Sequence, residues 1–112
     1  MRRYPYPGQT KARADMRRDL APEAEAAFHA FSKAVFKDGA RSYKTKQLIA
    51  VAVAHVTQCP YCIQGHTKSA ARAGATAEEI IEAIWVAAEM RAGGTYAHAA
   101  LALAALEVKG GQ

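Results

Sequence analysis

Seven aliphatic residues in a row, Leu48-Ile49-Ala50-Val51-Ala52-Val53-Ala54, leave no polar face on any regular element that contains them. Wound as a helix, the run needs apolar neighbours on every side. A short buried strand is the rival reading, and Ala50, Ala52 and Ala54 favour the helix. Alternation of strand type is nearly absent elsewhere, although 51% of the 112 residues are apolar. The expectation is an all-α chain, a compact bundle of about five to six helices with short connections. A domain of this length buries a smaller share of its surface than a large one does. Helices this apolar therefore imply an oligomer.

Helix signals divide the chain. Pro5, Pro7 and Gly8 discourage regular structure early on, and residues 10–19 fit a short polar helix. Pro22 suits a first helical position, and Ala24, Phe28, Phe31 and Val35 follow at helical spacing, which predicts a helix over 22–37 ended by Gly39. Ser42 is placed to cap a second over 43–57. A third runs from Pro60 to Ala73 and is closed by Gly74. Thr76 and Glu79 form a capping box for a fourth, carrying Ile80, Ile81, Ile84, Trp85, Ala88 and Met90 and stopped by Gly93-Gly94. A fifth begins at Thr95 and breaks at Gly110-Gly111. Trp85 and Ile84 read as core or subunit contact, and Tyr61, Tyr96 and His98 as packing, pocket or interface residues.

The net charge of +5 is concentrated at one end. Arg2, Arg3, Lys11, Arg13, Arg17 and Arg18 face only Asp15 and Asp19, so residues 1–20 read as a basic arm and 21–112 as a single helical domain. A basic arm without a nucleic-acid fold does not make a nucleic-acid protein. Met1-Arg2-Arg3-Tyr4-Pro5 leads into no apolar segment of signal type. Leu48 to Ala54 is far short of the roughly 18 residues that suggest a membrane span. The expectation is a cytoplasmic protein with neither membrane nor nucleic acid as partner.

The chemistry concentrates in Cys59-Pro60-Tyr61-Cys62, the two cysteines being the only ones present, with His66 four residues on. Pro60 is tolerated in a first helical turn, which puts Cys59 at a helix N-terminus and Cys62 in its first turn. Unpaired N–H groups and the positive end of the helix dipole there stabilise a thiolate. His66 lies over the same face as Cys62. In a reducing compartment such a pair is catalytic, redox-sensing or metal-binding rather than a staple. His55, Cys59, Cys62 and His66 would form a single stripe on one unbroken helix, and plain core packing accounts for such a stripe as well. Zinc is a further reading, with four possible ligands. Residues 55 and 66 would lie about 16 Å apart along a continuous helix, too far for one ion unless the helix breaks. Redox catalysis is favoured, with no metal and no cofactor.

From Thr45 to Gly93 the chain resembles the carboxymuconolactone decarboxylase and alkylhydroperoxidase AhpD-like family. The resemblance rests on Lys46-Gln47-Leu48-Ile49-Ala50-Val51-Ala52-Val53-Ala54, on Cys59-Pro60-Tyr61-Cys62-Ile63-Gln64-Gly65-His66-Thr67-Lys68, and on Ala73-Gly74-Ala75-Thr76-Ala77-Glu78-Glu79-Ile80. It implies an all-helical subunit assembled as a homotrimer or homohexamer. It also implies a thiol-dependent peroxidase or disulfide reductase acting on a hydroperoxide and restored by an external thiol. The CxxC pair sets it apart from the decarboxylase branch. By position, Cys62 resembles the cysteine that peroxide oxidises, Cys59 its partner in the disulfide, and His66 the histidine of the proton relay. Two positions depart from the pattern. Gln47 stands where the family carries a glutamate, and an amide can orient a histidine but takes no proton. His55 stands at a commonly apolar position, either as a substitute base or as a packed junction residue. Glu89 reads as an ordinary exposed carboxylate. The alternative function is a non-enzymatic redox or metal sensor, or an interaction protein, of the same family.

Overall fold

The computed structural model describes residues 6–111, with side chains as far as Glu107. Arg2 and Arg3 of the basic arm lie outside the described residues. Among those described there are five α-helices and no strand: α1 Lys11–Leu20, α2 Pro22–Phe36, α3 Tyr43–Thr57, α4 Pro60–Arg72 and α5 Ala77–Gly111. The chain divides into two units, Met1–Tyr43 and Lys44–Gln112.

In the first unit, Thr10 caps α1 by accepting from the Arg13 N–H at 3.2 Å, and Lys11, Asp15 and Arg18 pair along its surface. This is the polar helix expected over 10–19. Pro22 opens α2 at its first position. Phe28, Phe31 and Val35 are exposed on α2 within the chain.

In the second unit, α3 buries the stripe Gln47, Val51 and Ala54, spaced by four and three residues. The expected burial on every side does not hold within one chain, since Ile49 and Val53 are each 52% exposed. Too few elements exist in a chain of this length to surround α3. Trp85 is exposed rather than core, and Ile84 is half-buried.

Two alike turns close α3 and α4. At the end of α4, Gly74 has φ of 99°, its N–H donates to Ala71 O at 3.0 Å, and the Ala75 N–H donates to Ala70 O at 2.9 Å. That is the Schellman arrangement, and glycine suits its left-handed residue. At the end of α3, Gln58 takes the same place with φ of 58°, and the Cys59 N–H reaches back to Ala54 O at 3.2 Å. A side chain in that backbone region is disfavoured.

The capping box forms reciprocally: Thr76 N–H donates to Glu79 Oε1 at 2.9 Å and Glu79 N–H to Thr76 Oγ1 at 3.0 Å. Beyond it the structure corrects the sequence reading. α5 runs through Gly93-Gly94 as one helix of 35 residues and continues to Gly111, where breaks were expected. Each helical glycine costs about 1 kcal/mol relative to alanine. Alanines on both sides of the pair outweigh that, and neither glycine has a positive φ. Thr95 Oγ1 donates to Arg91 O at 3.1 Å and His98 Nδ1–H to Gly94 O at 2.8 Å, tying the glycine turn to its neighbours.

Candidate functional site

The α3–α4 junction builds the site. Cys59 belongs to both helices. Its backbone N–H closes α3 on Ala54 O, and its side chain opens α4 as the N-cap. Cys59 Sγ accepts from the Cys62 N–H at 3.3 Å. Pro60 follows at the first helical position, as expected for a residue with no N–H to satisfy. Both cysteines are half-buried free thiols.

The Cys62 thiol donates to the Cys59 sulfur, and this bond, joined by the backbone N–H groups of Cys62 and Tyr61, holds Cys59 below the ordinary thiol range. The same bond pushes Cys62 up, aided by burial and by the neighbouring negative charge. The helix N-terminus thus favours a thiolate on its cap residue, Cys59, over one on Cys62.

His66 stands one turn beyond Cys62 on α4, and Gln47 faces it from α3. His66 Nδ1–H donates to Gln47 Oε1 at 2.7 Å. Gln47 is 4% exposed, in the same stripe as Val51 and Ala54. A buried amide without a partner costs about 1–3 kcal/mol, so His66 stabilises α3 as Gln47 orients His66. The bond engages Nδ1 and so fixes the orientation of the ring relative to α3. Gln47 lends no negative charge to the pair.

His55 goes elsewhere. Its Nδ1–H donates to Val51 O at 2.8 Å, one turn back on α3, and its ring lines a hollow of about 200 Å³ with Ile84, Ala87, Ala88 and Arg91 of α5. The unbroken stripe drawn through His55, Cys59, Cys62 and His66 is interrupted, because α3 ends at Thr57 and Gln58 turns the chain before Pro60. Among the described residues no three histidine, cysteine or acidic side chains gather to hold a metal ion. Glu89 and His98 are exposed on α5, as is Tyr96.

Two features escaped the sequence reading. Arg91 reaches from α5 to the end of α3, where its Nη1 donates to Val56 O at 2.8 Å. A cation there meets the negative end of the α3 dipole. The left-handed Gln58 also carries no sequence signal, since glutamine is an ordinary helix former.

No described helix is long and apolar enough to cross a membrane. The sequence profile of the carboxymuconolactone decarboxylase family matches residues 22–105. A Paracoccus denitrificans protein, "uncharacterized protein 4 in cox locus", is 72% identical over 81 residues, covering 72% of this chain and 73% of that protein. An uncharacterized protein of Cupriavidus necator is 39% identical over 83 residues, covering 74% of each. A crystal structure from Methanobacterium thermoautotrophicum matches with a TM-score of 0.70 at 35% identity, over 74% of this chain and 93% of that one. The apo structure of a carboxymuconolactone decarboxylase family protein from Legionella pneumophila matches with a TM-score of 0.69 at 38% identity, over 86% of each chain. The chain belongs to the carboxymuconolactone decarboxylase family.

Proposed function

We propose that the chain is a dithiol oxidoreductase: a thiol-dependent peroxidase that also reduces disulfides, working through Cys59, Cys62 and His66. The observation that carries this reading is the shared helix start, where Cys59 caps α4 and its sulfur accepts from the backbone N–H of Cys62, the second free thiol of the pair.

In the peroxidase cycle, His66 draws the Cys62 proton away from the Cys59 sulfur, and Cys62 attacks the terminal oxygen of a hydroperoxide. The O–O bond breaks, the leaving oxygen takes the proton from His66, and the products are an alcohol and a sulfenic acid on Cys62. The Cys59 thiolate then attacks the Cys62 sulfur and expels hydroxide, which solvent protonates. An external dithiol reduces the resulting disulfide through a mixed disulfide and is itself oxidised. In disulfide reduction the same thiolate on Cys59 attacks the substrate disulfide, and Cys62 resolves the mixed species. A homotrimer or homohexamer is part of the proposal, because Ile49, Val53, Trp85 and Leu101 are exposed in the single chain. So is a cytoplasmic setting, where thiol reductants keep the pair reduced.

A redox sensor of the same family is the second reading, favoured by Gln47, an amide partner for His66 that accepts no proton. Turnover separates the two. Purified protein with cumene hydroperoxide and dihydrolipoamide is expected to consume both through many cycles, and to stop in Cys59→Ser and Cys62→Ser. Oxidation of one equivalent followed by arrest would establish the sensor instead.

A further inference from the structure

We propose that the hollow between α3 and α5 is a seat for a short-chain monocarboxylate, bound by Arg91. The hollow, of about 200 Å³, is lined by His55, Ile84, Ala87, Ala88 and Arg91. Ala87 is buried and Ile84 half-buried, so the floor is apolar.

Arg91 is the one charged residue in the lining. Its Nη1 is anchored on Val56 O at 2.8 Å, which fixes the guanidinium at the rim. One nitrogen is so held, and the remaining N–H donors of the fork suit a carboxylate. Among the described residues no carboxylate lies within ion-pair distance of it. A fixed cation above an apolar floor, without an internal counterion, matches a ligand with one anionic head and a hydrocarbon tail.

His55 narrows the class. Its Nδ1–H is engaged by Val51 O at 2.8 Å and so is not offered to a second carboxylate. Water takes about 30 Å³ per molecule in the liquid, so the hollow takes about six or seven heavy atoms, the carbon chain of a six-carbon acid with its carboxylate oxygens at the Arg91 rim. The site uses neither cysteine and stands independently of the redox cycle.

The test is a titration of the full-length, isotopically labelled protein with sodium hexanoate, followed by amide chemical shifts. Saturable shifts confined to Val56, Ala87, Ala88 and Arg91 are expected, with hexanol binding about tenfold or more weakly for want of the charge. Arg91→Gln is expected to weaken hexanoate by a similar factor. Because Arg91 also holds α3, Ala88→Leu provides a second variant, filling the hollow while leaving the Arg91–Val56 bond in place, and should abolish saturation. Equal binding of hexanol and hexanoate would overturn the proposal. So would unchanged affinity in Ala88→Leu, or an absence of shifts because a second copy of the chain covers the hollow.

Discussion

His66 Nδ1–H donates to Gln47 Oε1 at 2.7 Å, so the only polar side chain on the buried stripe of α3 holds the imidazole of α4. An amide in that place orients the ring and supplies no counter-charge. Gln47→Glu keeps the hydrogen bond and adds a negative charge that favours the protonated ring. We expect kcat for hydroperoxide reduction to rise about tenfold or more, within the usual range of general acid–base catalysis. The pH profile should extend to higher pH. Steady-state kinetics of the two proteins across pH 5–9 check both expectations. Gln47→Leu should lower turnover and reduce stability by about 1–3 kcal/mol, the cost of leaving a polar partner unmatched.

Gln58 holds the left-handed position that Gly74 holds at the next helix end. Gln58→Gly is expected to stabilise the fold by up to about 1 kcal/mol, and Gln58→Val to destabilise it by about 1–3 kcal/mol. Urea unfolding measures both. The strained residue immediately precedes Cys59, so the glycine variant also shows whether a looser turn slows turnover.

The continuity of α5 through Gly93-Gly94 makes a prediction opposite in sign to a helix break. A methyl group added at Gly94 meets no atom within 4 Å. Gly94→Ala should therefore stabilise the protein by about 0.5–1 kcal/mol. A left-handed stop at that residue would make the same change destabilising. Thermal unfolding decides the sign.

Glu79 accepts from the Thr76 N–H, which together with the Lys44 ammonium holds its carboxyl below the usual range. A carboxyl with a depressed folded value contributes stability above its unfolded value, about 4.3. That contribution is lost as pH falls through the folded value. Glu79→Gln should be less stable than the parent at pH 7 and should approach it at pH 2–3, as read by denaturant unfolding at each pH.

Much of this architecture is legible in the residues. Pro22 and Pro60 mark helix starts, Gly74 marks an end, and the Thr76–Glu79 pair marks the start of α5, because each acts through its own local backbone. Gly93-Gly94 misleads for a local reason as well: a glycine pair reads as a stop until the alanines around it are weighed. Val51 and Ala54 were legible as buried. The uncovered Ile49 and Val53 were not, because a hydrophobic residue does not disclose which molecule covers it. At the site, Cys59, Cys62 and His66 stand out by spacing, and Gln47 by resemblance. Arg91 does not, since it acts on a main-chain oxygen 35 residues away and main-chain oxygens carry no sequence mark. The division of charge between the sulfurs also needs the structure, because it follows from which sulfur caps α4.

That division is tested most directly by alkylating the reduced protein across pH 5–10 and following each cysteine by mass spectrometry. Cys59 is expected to react at lower pH than Cys62. Cys62→Ala should move Cys59 up toward about 8.5, the ordinary thiol value, while Cys59→Ala should move Cys62 down toward it. Cysteines that titrate together at the ordinary value, or Cys62 reacting first, would contradict that division.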